Sequence, residues 1–168
     1  MKVFRTFIIA VVLCSSGIAF ATCDKGKMAS TPSSRFTLNG AEAFDRETNL
    51  TWRRCSVGTT WKNGKCMGTA KLMSLSEAKE YAKNTGGGWR VPTIEELYGI
   101  VEKICSNPAI NTEVFPNVRD LGAGALYWST TKIKEIPSLI YYIDFLSGGA
   151  DGHTKGFSMA VRLVRSGK

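Results

Sequence analysis

Gly86-Gly87-Gly88-Trp89-Arg90-Val91-Pro92-Thr93-Ile94-Glu95-Glu96-Leu97 is the stretch on which the fold turns. Three glycines open backbone angles closed to other residues, Trp89 brings a large apolar ring with one N–H, and Pro92-Thr93 announces a helix. The stretch reads as a helix end, a buried anchor and a helix start in succession. Thr93 serves as N-cap, and Glu96 at the third helical position reaches back to complete a capping box. Leu97, Ile100, Val101 and Ile104 then form one apolar stripe, which predicts a helix running to about Ile104.

Upstream, Ser74 and Glu77 repeat the capping-box pattern, predicting a first helix from about Leu75 to Asn84 with Leu75, Ala78, Tyr81 and Ala82 facing inward. The glycines at 86 to 88 stop it. Arg35 to Leu38 reads as a short strand, Asn39-Gly40 as a turn, and Ala43-Phe44-Asp45 with Leu50-Thr51-Trp52 as a hairpin. Downstream, Asn107 to Asn117 holds two prolines and three asparagines, so it reads as an ordered loop with Ile110 and Phe115 buried. Ala125 to Thr130, Ile140 to Phe145 and Ser158 to Arg165 read as strands of an antiparallel meander. The tip Ser147-Gly148-Gly149-Ala150-Asp151-Gly152 joins the last two. Alternation turns Met159, Val161 and Leu163 inward and Arg162 outward.

The N-terminus carries Lys2 and Arg5, then an uncharged apolar run ending in Ala19-Phe20-Ala21. This pattern predicts a signal peptide over 1–21, an N-terminal arm over 22–34 without regular structure, and one domain over 35–168. The run is shorter than the ~20 residues that cross a bilayer, so no stable membrane span is expected after cleavage. Export to the periplasm, the cell surface or the medium follows. Five cysteines become four once Cys14 leaves with the signal. An oxidising compartment favours two disulfides over a metal site, since C-x-x-C spacing is missing and His153 is the sole histidine. Of the three possible pairings, spacing favours Cys55 with Cys66 across a short loop, leaving Cys23 for Cys105.

The formal charge of +8 falls to +6 when Lys2 and Arg5 depart, which favours anionic partners. Its basic residues are scattered without a long run, and an exported chain does not meet nucleic acid, so that partner class is set aside.

Seven ordered motifs then resemble one family: Ala43 to Cys55, Gly86 to Leu97, Pro108-Ala109-Ile110-Asn111, Phe115-Pro116, Tyr127-Trp128-Ser129-Thr130, Asp144-Phe145 and Val161 to Arg165. Together they are similar to the Lcl C-terminal domain family, named for the C-terminal domain of the Legionella collagen-like adhesin. The resemblance runs from about Phe36 to Arg165. It implies a C-type-lectin-like α+β fold, with two helices packed on small twisted antiparallel sheets and long loops at one end, and a role in adhesion. No collagen-like repeat accompanies it here. Arg90-Val91-Pro92-Thr93 also resembles a segment of formylglycine-generating enzymes, but those need cysteines late in the chain and none follows Cys105.

No catalytic constellation emerges. Nucleophile-elbow, Ser-His-Asp, zinc and phosphate-loop patterns are missing, and His153 stands alone in a glycine-rich loop, so no enzyme is expected. Asp120, Asp144 and Asp151 with Asn117 invite a calcium site, but the paired motifs of calcium-dependent lectins are missing; neither metal nor cofactor is expected. Trp52, Trp89, Arg90, Pro92, Glu96 and Trp128 are assigned to the structural core, with Arg90 and Glu96 as an ion pair. Arg162 and Arg165 receive similar structural roles. Recognition is placed on the loops Asn117 to Gly124, Lys132 to Ser138 and Ser147 to Gly156, with Arg119, Lys132, Lys134, His153 and Lys155 as ligand contacts. Trp61, in the disulfide loop, is the candidate stacking ring, with packing over the disulfide as the equal alternative. The ligand expected is an anionic glycan such as a glycosaminoglycan; the alternatives are an envelope or host-surface protein partner, or a formylglycine-generating-enzyme-like activity.

Overall fold

The computed structural model describes residues 21–167, so the signal peptide read over 1–21 lies, but for Ala21, outside the described residues. In chain order the elements are β1 (Thr22–Cys23), a 3₁₀ turn (Ser33–Arg35), β2 (Phe36–Asn39), β3 (Glu42–Asp45), β4 (Leu50–Arg53), β5 (Thr59–Lys62) and β6 (Lys65–Gly68). Then follow α1 (Leu75–Thr85), α2 (Ile94–Tyr98), β7 (Cys105–Ser106), β8 (Leu126–Lys132), β9 (Leu139–Asp144), β10 (Gly149–Thr154) and β11 (Val164–Ser166). Four antiparallel sheets result: β1-β7, β11-β4-β3-β2, β5-β6 and β10-β9-β8. The class is α+β.

Two disulfides cross-link it. Cys55, ahead of β5, joins Cys66 of β6, which faces Trp61 one pair from the hairpin turn, and Cys23 joins Cys105 where β1 meets β7. The hairpin turns at Asn63-Gly64, both at positive φ (51° and 77°), as a two-residue turn requires. The arm over 22–34 thus has more order than its composition suggested. It contributes β1 and the 3₁₀ turn, and Glu102 holds it by accepting the backbone N–H of Ser30 and of Thr31 (both 2.8 Å).

The sheets meet over two buried clusters. One gathers Trp52, Leu97, Ile110, Phe115, Tyr127 and Phe145; Phe115 sets its edge against Phe36 and Trp52 at 5.6 and 6.3 Å. The other gathers Leu75, Ala78, Ala82, Trp89, Trp128 and Val161, and the Trp128 indole donates to the Met73 carbonyl at 2.9 Å. Met159 to Val164 runs between them.

That segment corrects the expected strand over 158–165. Met159 bridges Met73, Ala160 bridges Tyr127, Val161 accepts from Val57, Leu163 from Arg53, and Val164 pairs with both Arg90 and Trp52. It threads the structure as a spine, and only Val164–Ser166 joins a sheet. With neighbours on every side, alternation loses its meaning, and Arg162 lies fully buried rather than outward. Its guanidinium donates to the carbonyls of Arg53 (2.9 Å) and Arg54 (2.5 Å) and lies 4.9 Å from the centre of the Phe115 ring. The third strand of the meander is instead β10, formed from the glycine-rich stretch read as a tip.

Both capping boxes form as expected, Ser74 with Glu77 and Thr93 with Glu96. α2 nevertheless stops at Tyr98, short of Ile104. Val101 leaves the helix to bridge Ile110, and the Glu102 N–H donates to the Ala109 carbonyl at 3.0 Å, so long-range pairing takes the groups a helix would use. Tyr81 also departs from its expected inward place, being 43% exposed.

Candidate functional site

α1 and the Gly86–Leu97 stretch build a cleft. Capped at Ser74, α1 carries Lys79, Ala82 and Lys83 at spacings of three and four, so their side chains share one face. Gly86, Gly87 and Gly88 all adopt positive φ (67°, 60° and 77°), which folds the chain back and buries Trp89. The Arg53 and Arg165 guanidinium carbons lie 4.4 and 4.8 Å from the centre of the Trp89 ring, and both arginines pair with Glu42 at 3.4 and 2.8 Å. Arg90 pairs with Val164 through its backbone and holds Glu96 with two bonds, at 2.7 and 2.5 Å. Thr130 of β8 closes the far wall, its N–H donating to the Pro92 carbonyl at 2.8 Å. The cleft between these walls has a volume of about 440 Å³.

Its electrostatics are one-sided. Burial works to raise the Glu96 carboxyl, but the Arg90 guanidinium and the Thr93 N–H outweigh it and hold the group below the ordinary carboxylate range. Glu96 is therefore a full anion that neutralises Arg90. Lys79 and Lys83 have no such partner among the described residues, so they stand as net cations over an apolar floor of Ala82, Trp89 and Val91.

The loop cations are divided. Lys132, Ile140 and His153 fall in one row across β8, β9 and β10, and Lys134 and Lys155 extend from the same end of that sheet. The His153 ring stacks on Phe157 at 4.0 Å. Lys132 follows Thr130 by two residues on β8, so this row borders the cleft within roughly 7 Å of chain. Arg119 is elsewhere, in the loop before β8, whose Asn117 donates to the Cys66 carbonyl at 3.2 Å. Trp61 lies on β5 with the Arg54 guanidinium carbon 3.9 Å from its ring centre.

The carboxylates considered for calcium serve the backbone instead. Asp144 accepts the N–H groups of Ala125 and Leu146 (both 2.9 Å), Asp120 those of Gly122 and Gly124 (2.8 and 3.0 Å), and Asp151 that of Gly152 (2.7 Å). Among the described residues no three His, Cys, Asp or Glu side chains converge as metal ligands would. All four described cysteines are consumed in disulfides.

Sequence reasoning passed over Lys79 and Lys83 as scattered charge. The signal that identifies them is their i, i+4 spacing on a helix that ends against the Trp89-Arg90 anchor.

A family model described as the Lcl C-terminal domain matches residues 42–165. The chain belongs to the Lcl C-terminal domain family. Comparison with curated proteins finds no match. The Lcl C-terminal match takes in both helices, the cleft and the row of loop cations, together with the Cys55–Cys66 bridge; of the other bridge it includes Cys105 alone.

Proposed function

We propose that this Lcl C-terminal domain is an exported, non-enzymatic adhesion module that binds an anionic polysaccharide, such as a glycosaminoglycan, along the α1-β8 cleft and the adjoining row of Lys132, Lys134, His153 and Lys155. One observation carries this reading: Lys79 and Lys83 overhang an apolar floor beside an arginine already neutralised, which suits a ring bearing sulfate or carboxylate groups. Short helices, small antiparallel sheets and two cross-links support a C-type-lectin-like architecture, with the arm over 22–34 tied to a domain over 35–168. The disulfides and the apolar N-terminal run support passage through an oxidising compartment. No helix among the described residues is long and apolar enough to cross a membrane.

Retention on immobilised heparin tests the proposal. Elution above physiological ionic strength is expected, moving to lower salt when Lys79 and Lys83, or Lys132, Lys134 and Lys155, become alanine. Elution at or below physiological salt, unaltered by either set, overturns it. A protein partner is the second reading, supported by the apolar hollow of about 150 Å³ between Leu72, Leu121, Leu126 and Phe157, where Leu72 is 42% exposed. Capture of one partner that survives raised salt would favour it.

A further inference from the structure

Behind α1, on the side away from the lysines, lies a second cleft of about 280 Å³, at the small end of ligand sites. Two aromatic rings from unrelated elements line it: Trp61 from β5 and Tyr81 from α1. Neither belongs to a core cluster.

Trp61 is held before any ligand arrives. Arg54 is buried, and its guanidinium donates to the carbonyls of Val114 (3.0 Å), Gly40 (3.1 Å) and Glu113 (2.8 Å). That fixed plane lies over the Trp61 ring, 3.9 Å from its centre, and Trp61 also lines the cleft. Tyr81 projects from α1, whose Thr85 donates its hydroxyl to the Tyr81 backbone carbonyl at 2.9 Å. Polar groups alternate with the rings. Thr59, Thr60, Thr85 and Arg53 all border the same space, and Arg53 is steadied by Glu42 and by the Trp89 ring.

Aromatic surfaces, one of them held by Arg54, match axial C–H groups, and hydroxyls with a guanidinium match ring hydroxyls, while no unpaired charge dominates the walls. We propose that the Trp61-Tyr81 cleft binds an uncharged pyranose ring of a glycan. This goes beyond the anionic reading, because the cleft lies on the opposite side of α1 from Lys79 and Lys83 and needs neither lysine. The volume admits one ring, so each cleft would engage a single residue within a longer chain.

Calorimetric titration with the neutral hexasaccharides cello-, chito-, laminari- and mannohexaose tests it. At least one is expected to bind, with an affinity unchanged by raised salt, and with roughly tenfold weakening in each of Trp61→Ala and Tyr81→Ala. Tyr81→Ala removes a half-exposed side chain outside the core, so it stays informative if Trp61→Ala fails to fold. Failure of all four probes, or binding that survives Tyr81→Ala undiminished, overturns the proposal. Failed retention on heparin leaves these titrations untouched, so the two ideas fail separately.

Discussion

Arg162 shows how much one side chain decides. Its guanidinium lies fully buried with no carboxylate paired to it among the described residues, and burial pushes its pKa down, yet it stays charged because the ordinary value is so high. The carbonyls of Arg53 and Arg54 and the flanking Phe115 and Tyr127 rings take the place of a counter-ion. Arg162→Met keeps the apolar stem but strands both carbonyls, so we expect a loss of about 2–4 kcal/mol, read by urea denaturation. A loss below about 1 kcal/mol would show that the carbonyls find other partners. Gly58 is a second such point. It sits at φ 91°, and an added Cβ would lie 2.5 Å from the Lys71 nitrogen and 2.8 Å from the Thr69 carbonyl oxygen, both backbone atoms. Gly58→Ala is expected to cost at least about 2 kcal/mol in the same measurement.

Among elements, α2 depends on its flanks. Five residues are too few for a helix to sustain itself, so its geometry rests on the Thr93 cap, the Arg90–Glu96 pair and the buried Leu97. Thr93→Ala should remove about 1 kcal/mol of stability. The N-terminal arm depends similarly on Glu102. Burial opposes ionisation there, but the N–H groups and hydroxyls of Ser30 and Thr31 prevail and hold the carboxyl below its usual value. A depressed carboxyl stabilises the fold above its unfolded value of about 4.3 and loses that contribution as pH falls through the folded value. Wild type should therefore exceed Glu102→Gln in stability at neutral pH, and the two should converge as the solution is acidified below about pH 4. A gap that persists in acid would mean that Glu102 acts through packing and not through charge.

At the scale of the whole molecule, the two disulfides differ in reach. Cys23–Cys105 spans 82 residues and Cys55–Cys66 spans 11, worth about 4.5 and 2.8 kcal/mol respectively in the chain-entropy model. Replacing Cys23 and Cys105 by serine should lower the denaturation midpoint more than replacing Cys55 and Cys66. The reverse order would place the greater strain relief, or the greater residual structure, in the long loop. Much of this plan was legible in the chain. Local signals are self-contained, so both capping boxes, the glycine turn before Trp89, the β3-β4 hairpin and the short Cys55–Cys66 loop could be read from neighbours in sequence, and Cys23–Cys105 followed by elimination. The family could be read as well, because its motifs recur in a fixed order. Tertiary structure alone decided the outward face of Tyr81, the early end of α2, the pairing of the glycine-rich stretch as β10 and the burial of Arg162. It also decided which lysines overhang a cleft. Periodicity describes how a segment's own side chains alternate, whereas burial on each face depends on what distant chain arrives there, and no local pattern carries that information.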